Sequence, residues 1–592
     1  MAQINSASEK RLTIDEVLNW LSKDQLISIV EEEAIRIYSA RWENRDKGLV
    51  DLICDYQAEK KTHLSKKFTQ EKLSEWLAAK VGLPLFYIDP LKIDVAAVTS
   101  ICTQPYAERF NILPVKVDVD TITVAVSEPF IREWEKDLRH LHQKEFKRVF
   151  ANAQDIKRYI HELYDFSKSV KSASNRSIEQ TGQLNNLEQL VELDKKGGLE
   201  VNNQHIVNLV NWLLQYAFDQ RASDIHLEPR RDKSNVRFRI DGVMHQVYQI
   251  PTAVMLAVVS RIKILGRMDI AEKRRPQDGR LKTVNGKLEI ELRLSTMPTA
   301  FGEKVVMRIF DPEILLKDFS ALGFNKREKQ LWAEMSQQAH GIILVTGPTG
   351  SGKTTTLYST LKQLATSEVN LCTVEDPIEL IEPSFNQMQV DNKIDLSFAA
   401  GIRTLMRQDP DIIMVGEIRD LETAEMAIQA SLTGHLVLST LHTNNAPSAV
   451  TRLLELGVKP YLVKLTLLGV MAQRLIRTLC SHCKAKHPLS DEEWGSLVQP
   501  FSVKKPDIVY QAVGCVECRN SGYIGRIGIY EVFKNTTLIQ KLITDDCDAN
   551  SIASLAIKDG MKTLRLSGVE KVIEGITSIE EVLRVAPENI EL

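Results

Sequence analysis

The chain has 592 residues, which at about 150 per domain implies roughly three to five folded units and excludes a small disulfide-held scaffold. With 75 basic and 78 acidic residues the net charge is -3, so the composition describes neither a polyanion-coating protein nor an acidic disordered tail. No stretch approaches the ~18 apolar residues of a spanning helix, and Met1–Glu16 lacks the apolar centre of an export signal, so a cytoplasmic chain without membrane insertion is expected.

The first 165 residues read as mixed helix and strand. Leu73, Trp76, Leu77 and Val81 share one helical face after a capping Thr69, and Gly82 and Pro84 end the helix. Val115, Val117, Val119 and then Ile122, Val124, Val126 alternate about Asp120 and Thr121 as a small hairpin. From Phe166 to Leu199 the chain is rich in Ser and Asn and poor in core-forming residues, which reads as a flexible linker over 166–199. Beyond it Ile206, Leu209, Val210, Leu213, Leu214 and Ala217 make one buried stripe, and Val236–Ile240, Asp241-Gly242 and Val243–Val247 read as a hairpin of an α+β domain. After Pro312, short apolar runs such as Ile342–Val345 and Ile412–Val415 alternate with helical stretches, the pattern of a parallel sheet covered by helices.

Gly347-Pro348-Thr349-Gly350-Ser351-Gly352-Lys353-Thr354 follows the run Ile342–Val345 and precedes a helix-forming stretch, matching GxxxxGK[ST] in its required context. Glycines let backbone N–H groups turn inward around phosphates, and a helix N-terminus adds partial positive charge behind them. Gly347, Thr349, Gly350, Ser351 and Gly352 are thus candidates for binding nucleotide, Lys353 for its β and γ phosphates, and Thr354 for Mg²⁺. Hydrolysis also needs a carboxylate for water and a γ-phosphate sensor. Thr373–Glu379, Asp409–Asp420 and Gly434–Thr443 each follow or span a likely strand, and strand ends are where open α/β sheets bind ligands.

Together these residues resemble the secretion ATPases of type II secretion and type IV pilus assembly, the GspE/PilB type. The family's Walker A is read at Gly347–Thr354, its Asp box at Thr373–Glu379, its atypical Walker B at Asp411–Glu417 and its His box at Gly434–His442. Ala222–Pro229, Arg237–Gly242, Arg275–Arg280 and Ser295–Arg308 are similar to the family's second N-terminal domain. The resemblance implies ATP and Mg²⁺ as ligands, Glu417 acting on water, Glu375 assisting at metal and water, and His442, with His435 second, sensing the γ phosphate. It implies a homo-hexamer in which some of Arg237, Arg239, Arg280, Arg293 and Arg308 reach a neighbour's nucleotide, although each could equally be a surface arginine. Assembly-platform proteins of the inner membrane are the implied partners, with peripheral association through them and no nucleic acid.

Of the eight cysteines, Cys480, Cys483, Cys515 and Cys518 form two CxxC pairs whose spacing suits a closed Cys₄ Zn²⁺ site, against the alternatives of a redox pair or free thiols. In the family such an insert is typical of secretion and pilus-extension ATPases and not of retraction ATPases. Some relatives bind a cyclic dinucleotide through a repeated Arg, Leu, Gly and Gln pattern, which residues 1–165 do not display; partner docking is the expected role there. The whole reads as multidomain α/β: an N-terminal α/β domain over 1–165 with its first ~68 residues unplaced, the linker, a second N-terminal α+β domain over 200–312, and a RecA-like P-loop ATPase domain over 313–592 carrying the zinc insert at about 478–520. A nucleic-acid translocase and a non-hydrolysing nucleotide-gated scaffold are the rival readings. Basic runs such as Lys273–Arg275 speak for the first, and the presence of every catalytic residue type speaks against the second.

Overall fold

The computed structural model describes residues 10–41, 48–60, 70–89, 93–181, 204–286, 288–310, 318–515 and 517–588. Two compact units divide them, the first through Ile309 apart from Glu289–Glu291, the second from Phe310 on.

The first unit opens with helices in the region that the sequence left unplaced. Ile14–Lys23 and Ile29–Ser39 each start with a capping box, Thr13 with Glu16 and Ser28 with Glu31, which satisfies free N–H groups at both helix starts. Val17, Leu18, Leu21, Ile35 and Tyr38 pack with Ile53 of Leu49–Lys60 and with Leu73 and Leu77 of Gln70–Val81. The latter is the expected helix; Thr69, its expected cap, lies outside the described residues. Ile112–Val117 and Thr121–Val126 form the expected hairpin, and Glu145–Phe150 adds a third strand parallel to the second.

The helix Ala153–Thr181 differs from expectation, because it runs through the first part of the segment read as linker. Ile156, Ile160 and Leu163 are buried along it, and the Ser167 hydroxyl is itself buried against Thr99 Oγ1 at 2.8 Å. A serine that looks like linker composition is here a packed, hydrogen-bonded residue. Residues 182–199 of the segment lie outside the described residues.

A six-stranded sheet follows, with strands ordered Val243–Pro251, Lys233–Ile240, Ala222–Glu228, Gly302–Phe310, Leu288–Thr299 and Gln277–Asn285. Burial alternates along Lys233–Ile240, Leu288–Thr299 and Gly302–Phe310, and Ile225, Leu227, Val236, Phe238, Leu292, Leu294, Val305 and Met307 are buried in a core that includes the helices Gln204–Asp219 and Thr252–Leu265. Inside that core Lys263 Nζ sits 2.7 Å from Glu303 Oε1 and donates to the Glu272 carbonyl at 2.8 Å. Both side chains are almost fully buried, so each charge depends on the other for compensation.

The second unit is built on a seven-stranded sheet in the order Asn386–Gln389, Leu371–Glu375, Ile412–Val415, Leu436–Leu441, Gly341–Thr346, Leu467–Leu479 and Tyr523–Lys534. All neighbouring pairs are parallel except the last. Gly341–Thr346, Leu371–Glu375, Ile412–Val415 and Leu436–Leu441 are buried at every residue, as strands covered on both faces must be. Ile342 and Leu344 pack toward Ala424, Ile428 and Val463, whereas Ile343 and Val345 pack toward Trp332, Leu357 and Leu361. An insert near the end of Leu467–Leu479 pairs Ala485–Pro488 with Ile508–Gln511 and carries the helix Asp491–Val498.

Candidate functional site

The stretch between Gly341–Thr346 and the helix Lys353–Leu364 forms the phosphate loop. Gly347, Gly350 and Gly352 have φ of 146°, 79° and 87°. A Cβ on Gly347 would lie 2.5 Å from the Gln473 carbonyl oxygen, and one on Gly352 2.8 Å from Gln473 Nε2. Two glycines are therefore fixed by the close approach of the neighbouring strand as well as by backbone conformation. Among the described residues Ser351 Oγ is buried without a hydrogen-bond partner, and Lys353 Nζ donates only into its own loop, to the Gly347 and Pro348 carbonyls at 2.8 and 3.2 Å. An orphaned hydroxyl, inward-turning glycines and a half-buried lysine together fit a bound phosphate chain.

The stretches expected to act with the loop leave the sheet at the same edge. Thr346 Oγ1 donates to the Leu441 carbonyl and accepts from Thr443 N–H at 2.8 Å, and Gly416 N–H bonds the Val374 carbonyl at 2.8 Å. Glu417, mostly buried, pairs with Arg419 and stands 3.5 Å from His442 Nε2. Burial, then the charge of Lys353, lowers the His442 pKa from its ordinary value, and Glu417 opposes the shift. Burial also lowers Lys353, while Glu417 and Glu379 favour its charged form and Arg474 opposes it. Lys353, Glu417 and His442 are thus brought within electrostatic reach of one another.

Two expected residues are placed differently. Glu375 is buried with both oxygens occupied: Oε2 accepts from Tyr358 at 2.7 Å, and Oε1 from Thr373 at 2.7 Å and Gln387 at 3.3 Å. Burial raises its pKa and these bonds oppose the rise. Its carboxylate holds a strand end in place, and Glu379 is the Asp-box carboxylate whose charge reaches Lys353. His435 precedes Leu436–Leu441, so a six-residue strand, about 20 Å at ~3.3 Å per residue, separates it from the edge that bears His442. Its Nδ1 lies 2.7 Å from the Ala430 carbonyl and 3.1 Å from Thr433 Oγ1. The expectation that His435 seconds His442 at the same phosphate is corrected by that strand.

Glu379 and Arg419 lie inside stretches already singled out by sequence. Gln473 and Arg474 carry no local motif and become visible only when Leu467–Leu479 is seen beside the phosphate loop.

The five candidate arginines belong to the first unit, and strand alternation puts Arg237, Arg239, Arg280, Arg293 and Arg308 on the face of its sheet opposite the core. Asp224 holds Arg308 at 3.1 Å and Arg239 at 3.7 Å, and Glu228 holds Arg237 at 2.6 Å and Lys304 at 3.1 Å. Burial disfavours ionised Glu228, yet its bonds to Arg237 and Lys304 keep its pKa below the ordinary value. Arg293 has no hydrogen-bond or ion-pair partner among the described residues.

In the insert, the Sγ atoms of Cys480 and Cys515, Cys483 and Cys518, and Cys515 and Cys518 are each 3.7 Å apart. Four thiolates about 2.3 Å from a central Zn²⁺ stand ~3.8 Å apart in a tetrahedron, whereas a disulfide requires ~2.05 Å. The donor set fits a tetrahedral metal.

The loop, the sheet edge and the acidic and imidazole groups around Lys353 define a P-loop nucleotide hydrolase. The family model described as Type II/IV secretion system protein matches residues 200–584, and that of the MshEN domain matches residues 81–170. The chain is 52% identical over 572 residues to the type IV pilus assembly ATPase TfpB of Acinetobacter baylyi, covering 96% of this chain and 98% of that one. It is 46% identical over 384 residues to the type II secretion system ATPase E of Vibrio cholerae, covering 65% of this chain and 76% of that one. A crystal structure of the pilus retraction motor PilT with bound ADP is 26% identical, covering 64% of this chain and 96% of that one, with a TM-score of 0.46. The chain belongs to the Type II/IV secretion system protein family and is an ATPase of multidomain α/β fold. Among the described residues no helix is long and apolar enough to cross a membrane.

Binding and hydrolysis should separate at two residues. Lys353→Ala is expected to lose nucleotide affinity and turnover together, whereas Glu417→Gln should bind ATP normally and hydrolyse it at least ~100-fold more slowly, measured by equilibrium titration and phosphate release.

Proposed function

We propose that the chain is a ring-forming, homo-hexameric Mg-ATPase that powers pilin assembly in a type IV pilus machine. The observation that carries this reading is the convergence of Lys353, Glu417 and His442 at one sheet edge, in a chain whose likeness to a pilus assembly ATPase runs nearly end to end. Type II secretion is the second reading, supported by relatives that match about two thirds of the chain.

Gly347–Gly352 present backbone N–H groups to the phosphates and Lys353 binds the β and γ oxygens. Thr354 would hold Mg²⁺, which when bound neutralises charge on the phosphate oxygens. Glu417 orients and deprotonates the attacking water, and His442 reads the γ phosphate. Glu379 supplies the second acidic charge, and Glu375 fixes the strand end by holding Tyr358. Arg293 is the arginine best placed to serve a neighbouring subunit, since Asp224 and Glu228 already engage Arg237, Arg239 and Arg308. Cys480, Cys483, Cys515 and Cys518 hold a structural Zn²⁺ that organises the insert. The domain preceding the linker docks onto a platform protein of the inner membrane, which gives a cytoplasmic chain its peripheral attachment.

Three measurements test these assignments. A strain lacking the chain should lose surface pili, with rescue by the wild-type chain and none by Glu417→Gln; intact piliation with stalled protein export would transfer the assignment to secretion. Mixing Lys353→Ala with Arg293→Ala chains should restore turnover above that of either mutant alone, because each subunit then supplies what its neighbour lacks. Mixed rings without such a gain would remove Arg293 from the mechanism. Elemental analysis should find about one Zn²⁺ per chain, lost with local destabilisation in Cys480→Ser/Cys515→Ser.

A further inference from the structure

Arg474 lies on Leu467–Leu479 two residues beyond Ala472, which pairs with Thr346, the last residue of the strand that feeds the phosphate loop. It therefore lies beyond the register of Gly341–Thr346, where its strand pairs only with Tyr523–Lys534, and its guanidinium reaches Asn444 in the loop after His442. Its neighbour Gln473 already touches the loop helix, accepting from Thr356 Oγ1 at 2.8 Å. The guanidinium Nη2 makes two long contacts, to the Asn444 carbonyl at 3.4 Å and to Asn444 Oδ1 at 3.3 Å, just after His442 and Thr443. Its Nε is buried with no partner among the described residues. Burial lowers its pKa from the ordinary value, and no carboxylate opposes that shift, in contrast to Arg419 with its Glu417. The charge of Arg474 thus opposes that of Lys353, and among the described residues the first has no acidic partner and the second is bonded only to its own loop.

Burying a charged donor without a partner is costly, and doing so beside a like charge is more so. Such a pair is stable as a receptor for an anion that inserts between its members. We infer that Arg474 is a further phosphate-binding residue of this ATPase site, contributed by the same subunit, and that through Asn444 it ties the loop after His442 to the bound nucleotide. The inference rests on the ATPase assignment and extends it to a strand outside the four motif stretches. The guanidinium fork suits phosphate oxygens, to which Nε and the second terminal nitrogen can donate in parallel.

The test is a titration of full-length protein with a fluorescent ATP analogue, at several salt concentrations, beside the thermal transition of the nucleotide-free protein. Arg474→Ala should weaken binding at least about tenfold, the scale of one lost charged hydrogen bond, and flatten the salt dependence, with an unfolding temperature unchanged or raised because repulsion on Lys353 is relieved. Arg474→Gln keeps a donor for Asn444 without the charge, and should bind as weakly as Arg474→Ala; Arg474→Lys should recover part of the affinity. If Arg474→Ala does not fold, the Gln and Lys variants decide. Affinity of Arg474→Gln within twofold of wild type would overturn the inference, as would a loss that Arg474→Lys does not relieve at all.

Discussion

Parallel strands buried along their whole length leave no room for polar chemistry between their ends, so every reacting group of the second unit must sit just beyond one edge of the sheet. Gly341–Thr346 and Leu436–Leu441 illustrate the constraint, because the first polar side chains able to work together are those after Thr346 and after Leu441. The two exits are stitched by Thr346, whose hydroxyl is buried and must be satisfied, and which finds its partners on Leu441 and Thr443. A hydrogen bond needed for burial thereby fixes the distance between the phosphate loop and the His-box loop. On the other side Gln473 presses on Gly347 and Gly352. The loop is held from both flanks before any nucleotide enters, which is the preorganisation that electrostatic catalysis of phosphoryl transfer requires.

What could be read from sequence tracks how local each signal is. The phosphate loop is legible because its glycines, lysine and threonine are contiguous, whereas Glu417 and His442 stand out in the sequence through the resemblance and a place after a likely strand, and the structure sets them 3.5 Å apart. His435 was misread for a related reason: it belongs to the same motif stretch as His442, yet the strand between them carries the two histidines to opposite edges. For Glu375 the sequence shows a strand-end carboxylate, and only the fold reveals that Tyr358, seventeen residues upstream on the loop helix, donates to it. Arg474 had no local signal, since its meaning comes from pairing with a strand more than a hundred residues earlier. In the first unit the signals for two helices were present and unread: Thr13 with Glu16 and Ser28 with Glu31 are capping boxes ahead of apolar stripes. Composition misled at Ser167, where one buried hydroxyl pair with Thr99 outweighs the linker-like character of its neighbours.

The two units treat their charges in opposite ways. On the polar sheet face of the first, Asp224 and Glu228 are nearly buried and hold arginines and Lys304 in fixed positions, so the guanidinium groups are oriented without being neutralised as a set. Arg293 is left over from that network. Around the phosphate loop, by contrast, Lys353 and Arg474 have no direct carboxylate partner among the described residues, and Glu417 is engaged with Arg419 and His442. A face of pre-aimed arginines suits a role that begins when something anionic arrives, and a pair of uncompensated cations suits one that is incomplete until it does.

Glu531 connects the His-box loop to the rest of the second unit. It is fully buried on Tyr523–Lys534, accepts from Ala446 N–H at 2.7 Å and Leu564 N–H at 3.3 Å, and pairs with no cation among the described residues. Those donors stand at the starts of the helices Pro447–Glu455 and Leu564–Ile573, where orphaned N–H groups and the helix dipole favour an acceptor. Burial nevertheless dominates and pushes its pKa to about 7. A folded-state value above the ordinary 4.5 means that this group's contribution is fully present at low pH and is lost as pH rises through about 7, on the order of 3 kcal/mol for a shift of that size. Such a residue is not explained by stability at neutral pH. Position explains it: one carboxyl clamps two helix starts, and the first of them is the end of the loop that carries His442, so that loop is anchored to the antiparallel edge of the sheet by the same strand pair that carries Arg474.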